Sequence, residues 1–444
     1  VHSRKGAARR PQKKAAAASP RAGSGPLILD LSVILAWRMR RQVLEKPLLR
    51  APSNLSISLA RTGWMASPSS WAPYLGLAAR YASFGPQDLD LALTEEGVLL
   101  EVPAVRGRRM LVPVEDGWIA LQAYRRAAQP QVDEMVRRRR IVTRAELENL
   151  GDVIRAVLAG RDLTCDEIEE KVPQRLVRDL GDKSRSQGFG TTVSLGLWTL
   201  MARGDVLARH SAGRPAGARM KYVLRKDLLG PVEATDLRPR QWQECLAALT
   251  LRYFTWTGLA RLGDFAWWAG LAQAEARRGI RGAGLVPVKV KGFTSDWYAG
   301  PEELEDLCSF RPPEPSGVAL IPSGDCLSAP WKSLDALVDP VDVTRFAAGP
   351  RKRRLRSDSA AGKLDGDRHF IVIGGRLAGV WEWCPDGGLR YATFAPLPKS
   401  IDQRVARRAA RMEEFIAKEL GRKSAGQAFE NVSLEPAVGE VIVQ

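Results

Sequence analysis

Histidine is nearly absent from the 444-residue sequence: only His2, His210 and His369 occur, and no two stand at metal-ligand spacing. Zinc deaminase and HExxH hydrolase chemistry are thereby excluded, because both need clustered imidazole or thiolate ligands. Cysteine is scarce too. Cys165, Cys245, Cys308, Cys326 and Cys384 form an odd set without a CxxC pair, so no disulfide framework is expected and the chain reads as cytoplasmic. Long apolar runs are missing as well: Leu27 to Trp37 is short and interrupted by Asp30, whereas a membrane-spanning helix takes about 20 apolar residues. No metal, cofactor or membrane partner is expected.

Acidic residues are missing where basic ones concentrate. Residues 1–22 hold Arg4, Lys5, Arg9, Arg10, Lys13, Lys14 and Arg21 with no acid. Lys and Arg total 67 against 50 Asp and Glu, a net charge of +17, of which this segment supplies seven. The remaining ten belong to the body of the chain. A basic body suits a polyanion, since each cation set against a phosphate releases condensed counterions. An Arg-rich but ordinary enzyme is the other reading. The apolar content of 45% and charged content of 26% are those of a globular protein, and a chain of this length divides into about three domains.

Along the chain, residues 1–25 are low in complexity and read as a disordered basic tail, with a transit peptide or a misassigned start codon as alternatives. Helical spacing is present over Ser32–Leu44, Asn54–Gly63 and Trp71–Phe84. Alternating stretches at Val98–Val102 and Met110–Val114 then predict a hairpin across the turn Arg106-Gly107-Arg108-Arg109. The pattern repeats: an amphipathic helix over Leu147–Leu158, a capping box from Thr164 to Glu167, a helix opened by Thr191 and Thr192, and strands Val206–Arg209 and Lys221–Leu224. It returns a third time with helices at Trp242–Trp256, 258–271 and Gln273–Ala283, followed by the strand Leu285–Lys291. Beyond Pro301 the texture turns to strands, at Val318–Ile321, His369–Ile373, Leu377–Trp383 and Leu389–Phe394, before a charged helix over Ile401–Leu420.

Three stretches, in order, resemble the AlkZ/YcaQ-like winged-helix family of DNA glycosylases. They are Gly258-Leu259-Ala260-Arg261-Leu262-Gly263-Asp264-Phe265 through Trp268-Ala269-Gly270-Leu271, then Val318-Ala319-Leu320-Ile321-Pro322 with Asp325, and then Ile371 through Trp381. The likeness extends over roughly residues 30–420 and concerns fold more than activity. It implies three tandem winged-helix units and a β-barrel around duplex DNA, with a water-positioning Gln-x-Gln or Gln-x-Asp pair in the first unit. That pair aligns with Met65 and Ser67 of Gly63-Trp64-Met65-Ala66-Ser67. Met110 likewise stands where the family's His is usual. Glycosidic hydrolysis needs a held water and an offset for an oxocarbenium-like charge. A thioether supplies neither, and a serine hydroxyl has little basicity. Asp90, Glu115 and Asp116 are the nearby carboxylates in sequence.

The expected fold is therefore α+β: a tail (1–25), three winged helix-turn-helix units (26–130, 131–232, 233–300), a β-rich, barrel-like domain (301–400) and a C-terminal helix and tail (401–444). Arg106, Arg108 and Arg109 at the first wing tip are candidates for phosphate contact, against an ordinary solvated turn. So are Lys183, Arg185, Ser186, Thr191 and Thr192 at the second unit's recognition helix, where the threonines equally serve as caps. Arg209, Arg214, Arg219 and Lys221 of the second wing complete the set. Trp64 and Trp71 flank the aligned pair and are read as core packing, with a wedge against a displaced base as the alternative. The run Arg137–Arg140 reads as a solvated helical face, and Arg351–Arg356 as an exposed basic loop. The expected function is a monomeric, nucleoid-associated DNA-repair protein on double-stranded DNA, catalytic or, as the rival, a non-catalytic lesion sensor or transcription regulator.

Overall fold

The computed structural model describes residues 28–67, 71–134, 136, 142–185, 189–210, 220–229, 241–339, 369–384 and 388–421. It opens with a two-residue strand β1 (Ile28–Leu29) and helix α1 (Leu31–Arg41). The next stretch runs α2 (Leu55–Thr62), β2 (Met65–Ala66), α3 (Ala72–Arg80), α4 (Pro86–Thr94) and a hairpin of β3 (Leu99–Pro103) and β4 (Arg109–Pro113). Its sheet order is β2-β4-β3, so the short strand pairs with the second strand of the hairpin. Helix α5 (Gly117–Asp133) leads away from it.

The same connectivity recurs twice. The second unit comprises α6 (Arg144–Leu158), β5 (Leu163–Thr164), α7 (Cys165–Lys171), the single turn α8 (Asp182–Arg185), α9 (Thr192–Arg203), β6 (Val206–His210), β7 (Met220–Leu224) and α10 (Arg225–Leu229), with sheet order β5-β7-β6. The third comprises α11 (Trp242–Thr257), β8 (Leu259–Arg261), α12 (Leu262–Ala269), α13 (Gln273–Gly282), β9 (Val286–Val290), β10 (Trp297–Ala299) and α14 (Pro301–Ser309). There β10 lies between β8 and β9. Local chemistry sets these boundaries. Thr143, Thr164 and Thr191 each open a helix through a capping box. Gly204 and Gly270 close α9 and α12 in the left-handed conformation.

The N-terminal segment joins the third unit. β1 extends the third sheet by pairing in parallel with β9. On α1, Arg38, one of three arginines set among the apolar residues of the helix, is fully buried. Its Nε donates to the carbonyl of Thr257 at 3.0 Å and its Nη2 to that of Leu259 at 2.9 Å. The guanidinium lies 4.3 Å from the centre of the Trp331 ring. Burial lowers its pKa to about 10.

The β-rich region is an open four-stranded sheet, not a barrel: β11 (Val318–Ile321), β12 (His369–Ile373), β13 (Arg376–Cys384) and β14 (Gly388–Thr393) lie side by side in that order. Among the described residues no pairing joins β11 to β14. Four strands are too few to close around a filled interior, and a helix covers the sheet instead. Helix α15 (Lys399–Phe415) buries Val405, Ala409 and Met412, while Arg404 and Arg408 donate to the carbonyls of Ser316 and Val318.

One continuous apolar core runs through the first unit, the third unit and this sheet. The second unit keeps its own core around Ile154, Ile168 and Leu197, and meets α5 through a small cluster of Tyr124, Phe189 and Trp198. At the centre of the shared core sits an ion pair. Arg80, at the end of α3, donates to Asp325 through Nη1 at 2.7 Å and Nη2 at 2.9 Å, and both side chains are fully buried. Gln42 beyond α1 accepts from Arg80 at 3.1 Å and donates to the carbonyls of Thr62 and Trp256. Four parts of the chain therefore share one polar knot.

Candidate active site and nucleic-acid interface

Register in the first sheet decides which side chains meet. Met65 pairs with Leu111, and Leu111 with Glu101, so these three share a row and a face. Ser67, two residues beyond Met65, lies on that same face. It continues the pairing: its N–H donates to the carbonyl of Arg109 at 3.0 Å. The result is a compact polar group. Ser67 Oγ donates to Glu101 Oε1 at 2.8 Å, and Arg109 Nε stands 3.5 Å from the same oxygen. Ser67 and Glu101 are buried, whereas Arg109 is about a third exposed. Arg109 Nη1 also lies 3.0 Å from Met220 Sδ, on β7 of the second unit. With its proton committed to Glu101, the Ser67 oxygen keeps lone pairs to accept from a water. An ionised carboxylate accepts protons more readily than a serine hydroxyl does.

The other half of the aligned pair differs. Met65 is 2% exposed and part of the core, its methyl within 3.7 Å of where a Cβ on Gly76 would stand. It has no group with which to hold water. Met110 pairs with Val102 and Ala66, in the row facing away from Glu101, and is buried in the core.

None of the three carboxylates named from the sequence, Asp90, Glu115 and Asp116, serves Ser67. Asp116 accepts from the Trp64 indole at 2.9 Å and from Arg252. Asp90 accepts from the Tyr74 hydroxyl. Glu115 is exposed beyond the end of β4. Glu101 escaped the sequence reading, although a lone acid inside Leu99-Leu100-Glu101-Val102 is a legible anomaly: a carboxylate in an apolar strand must find a partner. Both tryptophans are core residues. Trp64 packs against Trp256 and Trp268 at 5.2 and 6.0 Å between ring centres, and Trp71 meets Tyr74 edge-on at 5.7 Å.

The expected phosphate contacts are distributed unevenly. Arg106 stacks over Trp267 of the third unit at 4.2 Å, with Arg108 at 5.9 Å from the same ring, so this turn docks on α12. Arg106 holds a left-handed φ of 57° there. In the second unit, Arg185 pairs with Asp179 at 2.6 Å and Lys221 lies 3.9 Å from Asp162. Thr191 caps α9 and donates to Glu169. Thr192 donates to the carbonyl of Leu176 and accepts from the N–H of Arg178, with its side chain buried. Both threonines thus do structural work. The backbone of Lys183 and Arg209 is placed, but their side chains lie outside the described set, as do Ser186, Arg214, Arg219, Arg137–Arg140 and Arg351–Arg356 entirely. Among the described residues no group of three or more His, Cys, Asp or Glu is arranged to hold a metal, and no helix is long and apolar enough to cross a membrane.

Similarity to known proteins follows the same outline. No curated protein matches the chain in sequence. The solved structure of the Streptomyces sahachiroi DNA glycosylase AlkZ superposes with a TM-score of 0.67 at 20% identity, covering 87% of this chain and 98% of that one. A likeness at that identity concerns the fold. The model of the AlkZ-like DNA glycosylase family matches residues 59–415, most of the chain, and the protein therefore belongs to the AlkZ-like DNA glycosylase family.

Proposed function

We propose that this protein engages double-stranded DNA through its three repeated units, read as winged helices, and excises alkylated bases with Ser67 and Glu101 as its water-handling pair. The observation that carries the reading is the 2.8 Å hydrogen bond from Ser67 Oγ to Glu101 Oε1, at one of the two positions where the family resemblance places a glutamine. In this scheme a water donates to Ser67 and is aimed at the anomeric carbon. Glu101 offsets the oxocarbenium-like charge; as the new C–O bond forms, the water's proton passes to Ser67 Oγ while the Ser67 hydroxyl proton passes to Glu101, and the base leaves with the electrons of the broken glycosidic bond. The domain boundaries at 26–130, 131–232, 233–300 and 301–400 belong to the same proposal, as do a cytoplasmic, nucleoid-associated location and a monomeric state.

The test is release of free base from a duplex carrying an N-alkylated purine. Glu101→Gln keeps the shape and removes the base; general-base loss lowers the single-turnover rate by about 100-fold to 10,000-fold. Ser67→Ala lowers it less. Wild-type rates from Glu101→Gln would refute the assignment. A second reading rests on Met65, whose buried thioether plugs the other aligned position. Under it the scaffold binds lesions without cutting, and the wild-type chain retains DNA without releasing base.

A further inference from the structure

In each repeated unit the helix before the hairpin is α4, α9 or α13, and the three differ sharply in what they offer a polyanion. Helix α4 has no lysine or arginine and carries Asp88 and Asp90. Helix α9 is almost wholly buried, and its one cation, Arg203, is paired with Glu148 at 2.8 Å. Helix α13 carries Arg277, Arg278 and Arg281, all exposed. None of the three side chains makes an ion pair or hydrogen bond among the described residues. They stand at i, i+1 and i+4, so their guanidinium groups spread over one turn.

The helix is held so that this face points outward. Ala276, Gly279 and Ile280 are buried. At Gly279 a Cβ would come within 2.4 Å of Thr250 Oγ1, so α13 seats directly on α11. Its single carboxylate, Glu275, is turned inward, where it accepts from the Trp242 indole at 2.5 Å and from Arg126 at 3.0 Å. Beside the first turn opens a cavity of about 480 Å³ lined by Gln273, Arg277, Lys332 and Ser333 together with Asp264 and Asp296. Those two acids are already occupied, by Arg261 and Lys289 respectively.

From this comparison we infer that the third unit, through Arg277, Arg278 and Arg281 with Lys332 alongside, is the main phosphate-contacting surface of the chain, rather than the first hairpin turn and the second unit, where the sequence placed its candidate contacts. The inference rests on the DNA-binding part of the proposed function and is independent of catalysis. The phosphate belongs to a DNA backbone or to a free nucleotide, and duplex DNA and a nucleoside triphosphate, titrated separately, distinguish the two.

The experiment measures the affinity of the full chain for an undamaged duplex across a salt series. For wild type, log K falls linearly with log salt concentration, by about 0.9 per phosphate neutralised. The variant Arg277→Gln/Arg278→Gln/Arg281→Gln is expected to bind more weakly and to flatten the slope by about 2.7, which is about 0.9 for each arginine. The matched variant Lys183→Gln/Arg185→Gln/Lys221→Gln is expected to leave the slope within about one unit of wild type. Thermal melts identify any loss of folding, and the single variant Arg277→Gln supplies a graded point. An unchanged slope in the α13 variant, or a larger loss in the second-unit variant, overturns the inference while leaving base release untouched. A wild-type chain that binds duplex but releases no base defeats the catalytic proposal and leaves this one standing.

Discussion

Removing Asp325 is the most informative perturbation of the scaffold. Burial works against the charge on Arg80, yet Asp325 outweighs it and holds the guanidinium above its ordinary range. In Asp325→Ala two charge-assisted hydrogen bonds, at 2.7 and 2.9 Å, disappear. The carbonyl of Gly76 and the side chains of Gln42 and Cys326 still touch Arg80, but none brings a full negative charge. Breaking a fully buried pair in this way costs about 3–5 kcal/mol. The N–H of Leu327 also loses its acceptor, at 2.8 Å, for about 1 kcal/mol more. Replacing both partners by apolar side chains, Arg80→Met with Asp325→Leu, removes the unpaired charge and is expected to cost less than Asp325→Ala alone. Urea unfolding followed by tryptophan fluorescence and by far-UV dichroism reads the difference, and coincidence of the two probes justifies a single free energy. A loss below about 1 kcal/mol for Asp325→Ala, or strict additivity in the double mutant, would refute the reasoning.

Other outcomes follow from single contacts. His369 is stacked on Trp381 with Nδ1 accepting from the N–H of Ser323 at 2.9 Å, and burial lowers its pKa to about 3. The neutral ring therefore stabilises the fold fully above the unfolded value of about 6.5, and stability falls by about 1.4 kcal/mol per unit as pH drops from there toward the folded value. His369→Gln should flatten that part of the melting profile, and an unchanged slope would contradict the assignment. Gly258 has φ +69°, and a Cβ there would lie 2.2 Å from the Trp37 ring, so Gly258→Ala should destabilise by about 2 kcal/mol or more. Equal midpoints of thermal unfolding would argue against that close approach. Trp198 joins Phe189 at 4.7 Å and Tyr124 at 6.1 Å between ring centres. Trp198→Ala should loosen the second unit by about 3–5 kcal/mol and make it more sensitive to protease, whereas identical digestion patterns would count against the joint.

Much of the secondary structure was legible because periodicity and capping are local. The helix expected at Leu147–Leu158 spans Arg144–Leu158, and the Thr164–Glu167 capping box forms. Strands expected at Val206–Arg209 and Lys221–Leu224 each gain one residue. Helix α4 carried no such signal: Leu89, Leu91 and Leu93 alternate as a strand would, and only Leu89 is fully buried. The short strands β2, β5 and β8 are two or three residues long, below the length at which alternation shows, and exist because a hairpin strand stands beside them. The expected barrel failed for a related reason. Strand content is readable from sequence, but closure depends on strand number and on what covers the edges.

By itself the sequence determined the mixed α+β character and the repeated order of elements, since each depends on neighbours within a few residues; the resemblance added Met65 and Ser67 as the positions to examine. Only the tertiary structure decided the chemistry around them. Cross-strand register brought Glu101, 34 residues away, to Ser67. Tertiary packing also buried Arg38 and Arg80, surrounding them with carbonyls and a carboxylate from distant segments. The basic surface moved for the same reason. Among the described residues, Arg185 and Lys221 of the second unit stand beside local acids, Arg106 and Arg108 lie over Trp267, and the arginines of α13 face no acid, a distinction of long-range geometry that composition does not contain.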